Sequence, residues 1–126
     1  VYSAGSEAAH MKGFNFIKRF KERDKKIAVT IEDCVFKSNI ADKSGGIYAY
    51  NISGTLTNNL FDSCKGRLGA AAIDILDGSF KMHENQFKNC TAPQGSAIVV
   101  LKNVPGVAEN TVGTFEECNG ELLTIS

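Results

Sequence analysis

Four cysteines, Cys34, Cys64, Cys90 and Cys118, have the widest chemical range in this chain, because a thiol can ligate a soft metal, act as a nucleophile or close a disulfide. Their separations are 30, 26 and 28 residues, with no Cys-x-x-Cys pair and no neighbouring His pair, so no metal-ligand spacing is present. Two readings stay open: a buried ladder of small apolar thiols, or a disulfide between chain segments stacked at about 4.8 Å.

Acid–base chemistry has fewer candidates. The two histidines are His10 and His83, and His83 alternates with Met82 and Glu84 as an outward polar residue of a strand would. Asp74 and Asp77 are the carboxylates to weigh for polysaccharide cleavage. That chemistry needs clustered carboxylates and a basic residue on one solvent face, and Asp74 has Tyr48 and Val99 as its expected neighbours. No Gly-x-Ser-x-Gly elbow, phosphate-binding Gly-rich loop or Cys-His pair occurs. We therefore assign no catalytic residue, no metal and no cofactor. Asn51-Ile52-Ser53 and Asn89-Cys90-Thr91 are sequons, which makes Asn51 and Asn89 candidate glycan acceptors in a eukaryotic secreted protein, although chance gives a comparable number.

The elements that position these residues follow from an internal repeat. The 126 residues, 43% hydrophobic and 22% charged, suit one globular domain and exclude a disordered tail or a collagen-like fibre. No apolar run approaches the roughly 20 residues that span a bilayer. Apolar residues lead at 31, 56, 82 and 107 and close at 36, 61, 87 and 112, in steps of 25, 26 and 25. Between these blocks, small-residue turns feed short apolar runs at Gly45-Gly46-Ile47-Tyr48, Gly69-Ala70-Ala71-Ala72-Ile73 and Gly95-Ser96-Ala97-Ile98-Val99. Short strands at this spacing predict an all-β parallel β-solenoid of about four coils, about 25 residues each. Successive coils stack like on like. Phe36, Phe61 and Phe87 should form one inner column, and Asn59, Asn85 and Asn110, headed by Cys34, an amide column. Asn39, Cys64 and Cys90 follow three residues after each Phe. Phe115-Glu116-Glu117-Cys118 repeats that spacing three residues late, which implies a bulge or insertion in the last coil.

Phe36-Lys37-Ser38-Asn39 followed by Gly45-Gly46-Ile47 resembles the Phe-x-x-Asn and Gly-Gly-Ala-Ile repeats of polymorphic outer membrane proteins. Their passenger regions are right-handed parallel β-helices of the pectin-lyase-like superfamily. The resemblance covers roughly residues 27 to 126, with both motifs nearly intact only in the first coil. Later coils put Cys64 and Cys90 in place of Asn and Ala70-Ala71 or Ser96-Ala97 in place of Gly-Gly, and the strands at Ile47, Ile73 and Ile98 should pair in parallel. The resemblance implies a right-handed β-helix with a surface or extracellular role.

The formal net charge of zero conceals a partition. Residues 6–26 carry seven basic and three acidic residues, net +4, so the rest of the chain carries −4. This stretch is about 20 residues more than a coil needs and reads as a partly helical surface insertion. Met11, Phe14, Ile17 and Phe20 recur every three residues behind Ser6 as N-cap, while Gly13 and the run Phe14-Asn15-Phe16-Ile17 leave a strand open. Lys18, Arg19, Lys21, Arg23, Lys25 and Lys26 are candidates for binding an acidic protein, an anionic glycan or a membrane surface, unless the Phe side chains simply pack on the solenoid flank. Without a basic stripe on the body, nucleic acid is not expected. Val1-Tyr2-Ser3-Ala4 and Leu122-Leu123-Thr124-Ile125 look like strands of the same repeat, so residues 1–126 read as one segment of a longer solenoid that supplies further coils as neighbours. The expected role is a non-catalytic structural or adhesive module of an extracellular or cell-surface protein. A polysaccharide lyase or hydrolase fragment, or a carbohydrate-binding β-helix, is the alternative.

Overall fold

The computed structural model describes residues 27–126, in which the chain turns at corners marked by ten non-glycine residues in the left-handed region, φ 52–59°. Six are Asn or Asp, whose short side chains bear that conformation best. They recur in three series: Asp33, Asn58 and Glu84; Ser38, Ser63, Asn89 and Glu117; Asn51, Asp77 and Asn103. Three corners per coil divide each repeat into three faces.

The straight runs between corners are too short for helices and rich in β-branched and aromatic residues, so they pair as strands. Strands β1 (Ile27–Glu32), β5 (Ile52–Thr57) and β9 (Ser79–His83) form one parallel sheet. Strands β2 (Val35–Lys37), β6 (Leu60–Asp62), β10 (Gln86–Lys88) and β12 (Thr114–Glu116) form a second. The third contains β4 (Ile47–Tyr50), β8 (Ile73–Leu76), β11 (Ala97–Lys102) and β13 (Glu121–Ile125). A short fourth pair joins β3 (Ile40–Ala41) to β7 (Lys65–Gly66). All pairings are parallel, as a β-solenoid of about four coils requires.

Alternation sends every second side chain inward, where equivalent residues stack. Ile31, Leu56 and Met82 line one column; Ile47, Ile73 and Val99 line another. The rings of Phe36, Phe61, Phe87 and Phe115 run through the core with centroids 4.7, 5.0 and 4.8 Å apart and planes within 14° of parallel. Each such ring pair adds about 0.5–1.5 kcal/mol to the burial of its area. Gly46 lies against this column: a β-carbon there would sit 2.8 Å from the Phe61 ring and 2.5 Å from the Ala72 carbonyl oxygen.

Three expectations change. Val112 does not close the fourth repeat: Phe115 joins the Phe column, after a 28-residue step, and Val112 caps a 3-10 turn over Glu109–Thr111. Asn110 lies exposed in that turn and does not extend the amide column; two residues before Phe115, Gly113 stands in register with Asn85 instead. The insertion thus falls in the turn, where extra residues leave the ladder intact. The small-residue turns are also shifted by one. Gly45 and Gly46 face Ala71 and Ala72, and Ile73 pairs with Val99, not Ile98. Residues 6–26, with the candidate binding residues Lys18, Arg19, Lys21, Arg23, Lys25 and Lys26, lie outside the described residues.

Candidate functional site

The outer face of the β4–β8–β11 sheet gathers the most varied chemistry among the described residues. On β8 Ile73 and Ile75 point inward, so Asp74 and Leu76 point out. Register places Asp74 between Tyr48 and Val100, and Leu76 between Tyr50 and Lys102. The sequence reading had the first neighbour right and the second one position short. Lys43 reaches over the Tyr48 ring from the preceding turn, its Nζ 5.1 Å from the centroid. Burial raises the Asp74 carboxyl above its ordinary value, while Lys102 and then Lys43 pull it back. The result is a half-buried acid beside an aromatic ring and two ammonium groups. It can hydrogen-bond a polar ligand and complement an anionic one. It does not supply the paired carboxylates that glycoside hydrolysis uses.

Three other carboxylates, those of Asp33, Asp42 and Asp77, bond a neighbouring coil. Asn58 Nδ2 donates to Asp33 Oδ1 and Asn103 Nδ2 to Asp77 Oδ1, each at 2.8 Å, and Arg67 Nε donates to Asp42 Oδ1 at 2.8 Å. Each link joins residues 25 or 26 apart, so it ties one coil to the next. Asp77, the second carboxylate singled out in the sequence, therefore works at a corner and does not join Asp74. His83 is exposed and pairs with Glu84, Nε2 to Oε1 at 3.0 Å. Asn51 and Asn89 both occupy exposed left-handed corners on the solenoid surface.

Inside the coil, two polar columns flank the Phe column. The amide column runs Cys34, Asn59, Asn85. The Cys34 backbone N–H donates to Asn59 Oδ1 and the Asn59 N–H to Asn85 Oδ1, each at 3.1 Å. Asn59 Nδ2 donates to the Ile31 carbonyl and Asn85 Nδ2 to the Leu56 carbonyl, each at 2.9 Å. The second column runs Asn39, Cys64, Cys90, Cys118. Its thiols donate to the carbonyls of Phe36, Phe61 and Phe87 at 3.4, 3.3 and 3.4 Å. All four cysteines are free. Among the described residues no group of three or more His, Cys, Asp or Glu is arranged to hold a metal, and no helix is long and apolar enough to cross a membrane.

Sequence reasoning placed Tyr48 beside Asp74 but missed Lys43 and Lys102 as its companions. Lys102 was within reach, since it lies one coil from Leu76, whereas Lys43 sits in a turn whose path no repeat reports. No protein-family model, curated protein or solved structure matches this chain.

Proposed function

We propose that this chain is a non-catalytic structural or adhesive segment of an extracellular or cell-surface β-helix protein, similar in its repeats to the right-handed passenger β-helices of polymorphic outer membrane proteins. The observation that carries the reading is the use of carboxylates. Asp33, Asp42 and Asp77 each bond a residue of the neighbouring coil. Acids held that way stiffen a rod and are not free to meet a substrate. Further coils of a longer chain would extend the ladders at the edge strands β12 and β13. An exposed flank of the solenoid, or the basic residues Lys18, Arg19, Lys21, Arg23, Lys25 and Lys26, would then meet a protein or glycan surface.

A second reading, carbohydrate binding or turnover, is favoured by the Tyr48, Asp74, Lys43 and Lys102 cluster. One experiment separates the two. Purified protein is incubated with polygalacturonate, alginate and a neutral glucan, following new chain ends and retention on each immobilised polymer. The structural reading expects no new chain ends with any polymer. Chain cleavage that disappears in Asp74→Asn would overturn it in favour of an enzyme, and saturable retention lost in the same variant, without cleavage, would establish a lectin-like module.

A further inference from the structure

Cys64, Cys90 and Cys118 occupy one position in three successive coils. The Thr91 N–H donates to the Cys64 carbonyl and the Asn119 N–H to the Cys90 carbonyl, at 3.0 and 2.9 Å, which places the cysteines in adjacent rungs of one parallel ladder. Neighbouring strands lie about 4.8 Å apart, inside the 4.4–6.8 Å between α-carbons that a disulfide accepts. Each thiol has the same orientation, because each donates to the carbonyl of the Phe one coil earlier at nearly the same distance. The sulfurs therefore form a row, with Cys90 within hydrogen-bonding reach of both Cys64 and Cys118. Exposure is graded along the row. Cys64 and Cys90 are fully buried, and Cys118 is part-exposed.

We propose that this row is a thiol–disulfide exchange column, which takes up one two-electron oxidation from a hydroperoxide at Cys118 and passes it inward as a disulfide that always contains Cys90. The Cys118 thiolate attacks the peroxide and breaks its O–O bond, giving a sulfenic acid and an alkoxide or hydroxide that takes up a proton. The Cys90 thiolate then attacks Cys118 Sγ; the S–O bond breaks, hydroxide leaves and is protonated to water, and the Cys90–Cys118 disulfide forms. Two thiols have been oxidised and one peroxide reduced. A Cys64 thiolate can next attack Cys90 Sγ from the side opposite Cys118, giving the Cys64–Cys90 disulfide and returning Cys118 as a thiolate. That displacement needs the attacking and leaving sulfurs on opposite sides of the central one, which a stacked row supplies. Hydrogen bonding within the row lowers the pKa of Cys90 and raises that of Cys64, while burial raises that of Cys118, so Cys90 is the readiest nucleophile and the steps that use Cys118 and Cys64 thiolates speed up as pH rises. Cys34 stands apart: its column neighbour is Asn59, and its thiol donates to the Glu32 carbonyl at 3.2 Å.

The test treats the native 126-residue chain with hydrogen peroxide, removes the peroxide, caps free thiols with excess N-ethylmaleimide in denaturant at mildly acidic pH, and maps disulfides by mass spectrometry. The expected product has lost two hydrogen atoms and contains Cys90 linked to Cys118 or Cys64, with Cys34 capped. Cys64→Ala should confine the link to Cys90–Cys118. Cys90→Ala should lose the intramolecular disulfide and accumulate a dimedone-reactive Cys118. Cys34→Ala should change nothing. A disulfide involving Cys34, a predominantly intermolecular product, or oxidation confined to urea-unfolded chain would overturn the proposal. Mapping of the unsubstituted chain decides the matter even if a variant fails to fold.

Discussion

The two polar columns beside the Phe stack solve the same problem with different chemistry. In the amide column each Asn side chain satisfies a backbone group on a neighbouring coil, so the amides replace ladder bonds that the corner interrupts. In the thiol column the side chains are small, weak donors, and the backbone N–H groups of Thr91 and Asn119 find carbonyl partners without them. The first coil exchanges the types: Cys34 heads the amides and Asn39 heads the thiols. Stacking tolerates either residue, but an amide removed leaves buried donors unpaired, while a thiol removed leaves a small hole.

Asn85→Ala should expose that difference most strongly. It strips the acceptor from the Asn59 N–H and the donor from the Leu56 carbonyl, both buried, at a cost of about 3 kcal/mol. Urea unfolding followed by circular dichroism would measure it. A loss under about 1 kcal/mol would mean that water or a backbone shift replaces the amide, and the distinction between the columns would fall.

Gly113 ends the amide column, and Gly113→Ala should cost about 2 kcal/mol by overpacking. Its added carbon would lie 2.5 Å from the Asn85 carbonyl oxygen and 2.8 Å from the Phe87 ring, at a φ of 152°. Hydrogen exchange should report the damage locally, with faster exchange in β12 and little change in β1. Uniform loss across all coils would instead show that the last coil unfolds only with the rest.

In the thiol column, Cys90→Ala should cost only about 1 kcal/mol, the scale of a small buried group, with Cys90→Ser of similar size because a hydroxyl can donate to the Phe61 carbonyl. Equal losses for Asn85→Ala and Cys90→Ala in the same unfolding assay would erase the contrast.

Both columns were legible in the sequence where the turn between them keeps its length. Stacked positions demand self-compatible side chains, so Phe36, Phe61 and Phe87, and Asn59 with Asn85, repeat at 25 or 26 residues and reveal the coil. The final coil misled because Asn110 and Val112 have suitable types at the expected step, yet the added residues sit in the turn before β12. The three-residue spacing from Phe115 to Cys118 was the better guide, since spacing within a strand and its corner is fixed by the ladder and turn length is not. The shift at Gly45 and Gly46 has another cause. A run such as Gly69-Ala70-Ala71-Ala72 has no unique phase, because every member is small enough to stack on glycine. The Asp74 cluster depended on outward-facing residues, which stacking constrains least.

Asp74 offers the smallest effect and the clearest contrast with the columns, since a carboxylate without a like neighbour must answer to solvent and to charge. Burial places its folded-state pKa above the unfolded value, so the folded chain holds the extra proton between the two. Its contribution to stability is fully present below the unfolded value, about 3.9, and is lost as pH rises through the raised one. Asp74→Asn cannot lose that proton. The urea midpoint of the variant should therefore gain on that of the unsubstituted chain as pH climbs through this window and hold a constant lead above it. Lys102→Met should steepen that fall in stability, because Lys102 does more than Lys43 to favour the ionised acid. A difference between Asp74→Asn and the unsubstituted chain that stays flat from about pH 3 to 7 would mean that Asp74 is no more buried than a corner carboxylate, and the outer face of β8 would lose its claim as a site.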